Sequence, residues 1–157
     1  MILLGPLQSK WIIYACVSME STRLPDYIEK VAVSSVLNRD TKQYGKNNLF
    51  DGNPETCWNS DSGAVQWISV KFREPLQLEM VCIQFQGGFA AEKVVLQLWN
   101  EDKSSKTSTA FYPVNTNSVQ SFIISNDDAF LNCSLLFSKP FDFFGRIIVY
   151  TLDFKHV

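Results

Sequence analysis

Hydrophobic and polar residues alternate along much of the chain, and the clearest example runs from residue 64 to residue 72. A period of two residues is typical of a β-strand with one face in the core and the other in solvent. The alternation predicts two faces, one with Gln66, Ile68, Val70 and Phe72 and the other with Trp67, Ser69 and Lys71.

Similar segments recur from about residue 31 onward, separated by short stretches rich in Asn, Asp, Ser, Gly and Pro. In one of them Val81, Ile83 and Phe85 form the apolar face. Short strands at regular spacing, with polar turns between them, predict an all-β sandwich. The predicted strands are 33–37, 64–72, 76–86, 93–99, 109–113, 119–125, 130–137 and 146–154.

The start of the chain differs from the rest. It contains two apolar segments, 2–7 and 11–17, with a polar stretch around Lys10 between them. Neither segment approaches the ~20 residues of a membrane-spanning helix. Lys10 lies between the two apolar segments, whereas a signal peptide has its basic residues before a single apolar segment. We therefore expect residues 1–18 to be an extension, residues 19–157 to form a single domain, and no membrane to be bound.

Composition and charge narrow the range of functions. The chain has 157 residues, 46% of them hydrophobic, and carries 14 Lys and Arg against 16 Asp and Glu, a net charge of −2. A broad basic surface for direct nucleic-acid binding is therefore not expected. The only histidine is His156, which argues against Ser-His-Asp or Cys-His catalysis and against a histidine metal site. Because phosphate-binding loops and nucleophile elbows are also missing, we expect neither enzymatic activity nor a cofactor.

The four cysteines, Cys16, Cys57, Cys82 and Cys133, are widely spaced, and no CxxC pair occurs. Zinc knuckles and thioredoxin-like redox motifs are therefore not expected. So few cysteines in a chain of this length do not resemble a disulfide scaffold. We expect all four to be thiols, mostly buried as small hydrophobic side chains.

The most specific motifs lie in the first half of the chain. Asp51 begins a tight Asp-Gly turn, and Thr56 can hydrogen-bond back to it. Trp58 and Trp67 are large apolar residues on either side of a polar loop. We expect both tryptophans to be buried and necessary for the fold.

The chain resembles the discoidin family, also called the coagulation factor V/VIII C-type domain family, in three motifs that follow one another in the same order. These are the Asp-Gly turn, the Thr-Cys-Trp motif and the Gln-Trp-Ile strand. The resemblance extends from about residue 31 to residue 154. It implies an eight-stranded jelly-roll β-sandwich. It also implies that ligands bind at loops clustered at one end of the sandwich.

Four separated blocks resemble a small intracellular branch of this family more closely: SSVLNRDTKQYGKNNLFD, ETCWNSDSG, QFQGGF and DFFGR. This resemblance implies a non-enzymatic, monomeric protein-interaction module of the nucleus and also of the cytoplasm. Its partner would be an orphan nuclear receptor, which it represses by interfering with DNA binding. Two alternatives stay open, namely a secreted or cell-surface lectin-like domain that binds glycans or lipid head groups, and an adaptor in another intracellular complex.

Several sugar-binding members of the family hold a calcium ion, and the resemblance places part of that site at Asp51, Asn53 and Thr56. The acidic ligand that completes the site aligns with Thr151, which is neutral. Calcium prefers about six to eight oxygen ligands, several of them from carboxylates. We therefore expect no metal here and expect Asp51 and Thr56 to stabilise a turn.

The candidate partner-binding residues lie in three loops that the resemblance brings to one end of the sandwich. Each loop combines an aromatic residue with polar or charged neighbours, and aromatic and arginine side chains dominate interface energies. A Leu-x-x-Leu-Leu helix motif is missing, so such loops would have to contact a receptor. The alternative is that Phe143 and Phe144 fold under their loop and close the core. The candidates are Arg39, Lys42 and Tyr44, then Gly87, Gly88 and Phe89, and finally Phe143, Phe144 and Arg146.

Overall fold

The computed structural model describes residues 24–102 and 106–157, which fold into two antiparallel β-sheets packed face to face. The prediction of an all-β sandwich is confirmed. One turn of α-helix, α1 (Thr41–Tyr44), and three 3-10 helices, Leu24–Tyr27, Leu37–Arg39 and Lys46–Phe50, precede the second strand. The described strands are β1 (Ile28–Val33), β2 (Trp58–Asn59), β3 (Val65–Leu76), β4 (Leu78–Phe85), β5 (Ala91–Trp99), β6 (Lys106–Phe111), β7 (Val119–Ile123), β8 (Phe130–Pro140) and β9 (Ile148–His156).

The strand order is β1-β3-β8-β5-β6 in the five-stranded sheet and β2-β9-β4-β7 in the four-stranded sheet. Every pair of neighbouring strands is antiparallel. The chain crosses repeatedly between the two sheets, for example from β4 to β5 and from β6 to β7. Each crossing places a loop at one end of the sandwich, where it connects the two layers.

The core fills the space between the sheets, and the alternation in β3 supplies part of it. Gln66, Ile68, Val70 and Phe72 are buried as predicted, whereas Trp67, Ser69 and Lys71 lie on the outer face. Aromatic rings from both sheets meet in the core with centroids about 6 Å apart, one pair tilted and two pairs edge to face. These pairs are Trp58 with Phe137, Phe85 with Phe137, and Phe72 with Phe154.

The first strand differs from the predicted strand 33–37, because β1 ends at Val33 and residues 34–37 lie outside it. The side chains of Ser34 and Ser35 explain the difference, since both hydrogen-bond to the side chain of Gln66. β1 is an edge strand without a fully buried face, so its pattern of burial is weak. The short strand β2 was not predicted, because two residues are too few to show a period.

The two tryptophans have different environments. Trp58 is fully buried, but Trp67 is 37% exposed on the outer face of β3. The expectation that both are buried is therefore wrong for Trp67. Its position in the strand, on the same side as Ser69 and Lys71, is the physical reason.

The cysteines also depart in part from the prediction. Cys57 and Cys133 are free thiols, and burial raises the pKa of each. Cys82 forms a disulfide, so the expectation of four thiols is wrong for this residue. Wide spacing along the chain does not prevent a disulfide, because pairing depends on distance in space. Cys16 and the expected extension over residues 1–18 lie outside the described residues.

Candidate functional site

Loops from both sheets meet at one end of the sandwich, which we call the loop end. β1, β4, β6 and β8 finish there, and β3, β5, β7 and β9 begin there. The register shows this arrangement, since Val33 pairs with Ile68 and Ala91 pairs with Pro140. The loop end consists of residues 34–57, 60–64, 86–90, 112–118 and 141–147.

All three loops with candidate partner-binding residues lie at the loop end, and two of them contact each other through Arg146. The guanidinium carbon of Arg146 lies 5.2 Å from the centre of the Phe89 ring and 5.8 Å from that of Phe144. The rings of Phe143 and Phe144 meet edge to face at 5.3 Å. These contacts form an aromatic cluster with one cation at its centre.

Both phenylalanines of this cluster project from the surface. Phe143 is 94% exposed and Phe144 is 61% exposed. Neither closes the core, because the segment is a turn rather than an extended strand, with the Gly145 amide donating to the carbonyl of Asp142 at 3.0 Å. A large exposed aromatic pair on a small domain is a candidate contact surface.

Arg146 is held in place by Asp142 through a two-pronged interaction. Its Nε donates to Oδ2 at 3.1 Å and a terminal nitrogen donates to Oδ1 at 3.3 Å, while its backbone amide also donates to Oδ2. The side-chain hydrogen bond from Arg146 lowers the pKa of Asp142, with help from backbone amides and against the cost of burial. A bidentate interaction of this kind fixes the orientation of both side chains. Because the guanidinium of Arg146 also contacts the Phe144 ring, Arg146 is a positioning residue for Phe144.

This pair predicts a response to acid. Because the pKa of Asp142 is lower in the folded protein than in the unfolded chain, the pair stabilises the fold above the ordinary Asp value of about 3.9. That stabilisation is lost as the pH falls through the lower native value. We expect the ring-proton shifts of Phe143 and Phe144 in NMR spectra to move in this acidic range. In Asp142→Asn they should stay constant there, and an identical titration in this variant would contradict the assignment.

Two glycines hold the same turn against the loop between β2 and β3. The Gly63 amide donates to the carbonyl of Phe144 at 3.0 Å. Gly145 has a φ of +81°, and a Cβ placed there would lie 1.9 Å from the carbonyl oxygen of Gly63. Only glycine fits this position, because it needs both a left-handed backbone and no side chain.

The buried side chain of Gln66 connects three segments of the loop end. Its Oε1 accepts from the hydroxyls of Ser34 at 2.6 Å and Ser35 at 2.9 Å. Its Nε2 donates to the carbonyls of Asp61 at 2.8 Å and Gly145 at 3.4 Å. All of its hydrogen-bonding capacity is thus used inside the fold, which makes the platform under the aromatic cluster rigid.

Sequence reasoning did not include the segment 112–118 in the site, although it supports the loop with Phe89. Asn117 Oδ1 accepts from the Gly87 amide at 2.6 Å, and Asn115 Oδ1 accepts from the Gly88 amide at 2.8 Å. The asparagines therefore fix the backbone conformation of the two glycines. The sequence shows that this segment is a polar, asparagine-rich turn. It does not show that the turn contacts the Gly87–Gly88 loop.

The third loop, with Arg39, Lys42 and Tyr44, lies beside β1 and forms helical turns. Its hydrogen bonds are local, since Asp40 Oδ1 accepts from the amide of Gln43 at 3.0 Å. Arg39 and Lys42 are exposed, and Tyr44 is half-buried. This loop shares the loop end with the aromatic cluster but presents charge rather than aromatic surface.

The Asp-Gly turn keeps its own polar groups occupied. Asp51 Oδ1 accepts from the amide of Asn53 at 2.9 Å, and Asp51 Oδ2 accepts from the hydroxyl of Thr56. Both carboxylate oxygens of Asp51 therefore accept hydrogen bonds within the turn, which they stabilise. Among residues 24–102 and 106–157, no cluster of three or more His, Cys, Asp and Glu side chains is placed to hold a metal.

The described helices are short. Within the two described ranges, none has the length and apolar character needed to cross a membrane.

Comparison with known proteins identifies the class to which this fold and loop end belong. The model of the F5/8 type C domain matches residues 30–126. The F5/8 type C domain of a Bacteroides fragilis protein superposes with a TM-score of 0.69 at 14% identity, over 80% of this chain and 89% of that one. The chain therefore belongs to the F5/8 type C, or discoidin, family.

Within this family the chain is a homologue of nuclear receptor 2C2-associated protein. The protein of that name from Danio rerio is 47% identical over 121 residues, which are 77% of this chain and 86% of the relative. A family 32 carbohydrate-binding module of NanJ from C. perfringens, solved with galactose, is similar in fold alone. Its TM-score is 0.66 at 14% identity, over 80% of this chain and 91% of that one.

Proposed function

We propose that this protein is a non-enzymatic protein-interaction module of the nucleus and cytoplasm that represses an orphan nuclear receptor by interfering with its DNA binding. The name of its relative supports association with such a receptor. The observation that carries the proposal is the exposed pair Phe143 and Phe144, fixed on a rigid turn at the loop end.

The turn that carries these rings is ordered before any partner binds. A flexible loop loses conformational entropy when a partner binds, and this loss weakens the complex. Here Arg146 and Asp142 fix the turn, and Gly63 holds it from below, so little further ordering is needed. Exposed aromatic rings presented in this way are the usual anchors of protein interfaces.

The net charge of the chain supports an indirect mode of repression. With a net charge of −2 the protein is not expected to compete for DNA directly, because its overall charge does not attract phosphates. It would instead bind the receptor and hinder the approach of the receptor to DNA. Adding the protein to a mobility-shift assay should therefore reduce the receptor–DNA complex without producing a shifted band from the protein alone.

Phe143→Ala is expected to weaken the receptor complex by about tenfold or more, since a central aromatic anchor typically contributes ~2 kcal/mol. The thermal melting temperature should stay within a few degrees, because the ring is almost fully exposed. Affinity is measured by titrating the purified receptor and stability by thermal denaturation of the same samples.

Ile123→Ala is the matched control, because Ile123 is 69% exposed but lies at the opposite end of β7 from the loop end. It should bind the receptor as the parent protein does. Equal binding by Phe143→Ala would place the receptor surface elsewhere. Receptor binding that leaves the receptor–DNA complex intact would favour the adaptor function, and binding of galactose without any receptor binding would favour the lectin-like one.

A further inference from the structure

A groove of about 640 Å³ lies beside β1, between the strand and the helical turns that follow it. Its apolar part comes from Ala32, Val33 and Val36, and Lys42 and Lys46 line it from the helical side. The volume is in the range of ligand-binding clefts, ~300–1,000 Å³. The groove is separate from the aromatic cluster at Phe143 and Phe144.

The backbone of β1 has N–H and C=O groups along the sheet edge beside this groove, and Val33 lines the groove itself. Among residues 24–102 and 106–157, β3 is the one strand that pairs with β1, which lies at the edge of its sheet. The amide of Ser34 donates to the carbonyl of Trp67 at 2.9 Å, which sets the alternation of the antiparallel ladder. Ala32 then pairs towards β3, while Val31 and Val33 direct their N–H and C=O groups away from it. Such an edge is a template for an added strand.

The charge beside this edge is positive. Residues 39–46 contain three cations, Arg39, Lys42 and Lys46, against one carboxylate, Asp40, although the whole chain has a net charge of −2. Within the described residues the ion pairs lie elsewhere, and none involves these cations. A basic rim on an otherwise acidic protein selects an acidic partner.

We propose that this groove binds an extended, acidic segment of a partner protein, which adds as a short strand beside β1. Its backbone would pair with Val31 and Val33, and its carboxylates would meet Lys42 and Lys46. The proposal rests on the proposed function, because the segment belongs to the partner that the aromatic cluster contacts. The groove would recognise that partner by backbone pairing and by its negative charge.

The test uses a fluorescein-labelled peptide of about eight residues that alternates glutamate and valine, titrated with the full chain and followed by fluorescence anisotropy. Saturable binding is expected, and the double variant Lys42→Glu with Lys46→Glu should weaken it by about tenfold or more. The matched control, Lys93→Glu with Lys106→Glu, reverses two charges on the distant strands β5 and β6 and should stay within about twofold of the parent.

Two further peptides separate backbone pairing from charge. A version with methylated amides cannot pair with a strand edge and should bind much more weakly, as should a version with lysine in place of glutamate. Amide hydrogen exchange at Val31 and Val33 should slow when the parent peptide binds. No saturable binding, equal binding of the methylated peptide, or unchanged binding by the Lys42 and Lys46 double variant would each overturn the proposal.

The peptide assay contains no receptor, so its failure is distinct from failure of the proposed function. Peptide binding as expected, without receptor binding, would leave the groove assigned and the receptor function rejected. Receptor binding that depends on Phe143 but not on Lys42 and Lys46, together with no peptide binding, would leave the function standing and reject the groove.

Discussion

Trp58→Ala is expected to lower the free energy of unfolding by about 3–5 kcal/mol, a large part of the ~5–15 kcal/mol that stabilises a domain of this size. Trp58 is fully buried between the sheets and packs against Phe137. Its indole Nε1 also donates to the carbonyl of Ser35 at 2.9 Å, so the variant leaves that carbonyl without its partner. Urea denaturation of the purified variant measures the loss.

Trp67→Ala is the control for this prediction, because it removes the same side chain from a site that is partly in solvent. Its ring lies on the outer face of β3, and its loss should lower the free energy of unfolding by about 1 kcal/mol or less. Equal losses in the two variants would show that the outer face of the sheet is covered by something that packs on Trp67.

Gly145→Ala is expected to have the second largest effect, about 3 kcal/mol or more. A non-glycine residue in the left-handed region costs ~1–2 kcal/mol, and forcing an extra carbon into a packed site costs ~1–3 kcal/mol. Both terms apply here, since φ is +81° and the added Cβ would lie 1.9 Å from the carbonyl oxygen of Gly63. The variant should also lose receptor binding, because the turn that carries Phe143 and Phe144 must move.

Gly88→Ala separates the two causes. Gly88 also has a left-handed backbone, with a φ of +91°, but a Cβ there would meet nothing within 4 Å. It should lose only the backbone term, about 1–2 kcal/mol. If Gly88→Ala and Gly145→Ala lose the same amount, the close approach to Gly63 does not contribute to stability, and the rigid turn proposed for the binding surface is not supported.

The strands were predictable where burial is one-sided. In β3 and β4 most inner positions carry large apolar residues at every second place, so the faces could be assigned from the sequence. β1 could not be placed in this way, because an edge strand with half-buried residues lacks that contrast. The exposure of Trp67 follows from its register in β3 and not from its chemistry, and the size of the side chain alone was misleading.

The site was predictable only as a set of loops. The resemblance to the discoidin family brought the three loops to one end, and the structure places them there. The contacts between them depend on long-range geometry that no local pattern reports, such as the Arg146 side chain over Phe89. Gln66 gave a partial signal, because a polar residue in the buried register of β3 needs partners, but the sequence did not say that these lie in three separate segments.

The hydrogen bonds under the loop end also determine when this surface can exist during synthesis. Gln66 and Gly145 are 79 residues apart, and the Ile147 amide reaches the hydroxyl of Ser60 across 87 residues. A ribosome releases the chain from its N-terminus, so Gln66 emerges long before the turn that it supports. The aromatic cluster is therefore assembled only when nearly the whole domain has left the exit tunnel. A nascent chain, or one shortened before this turn, would lack the cluster, so a partner that binds the cluster would not bind such a chain.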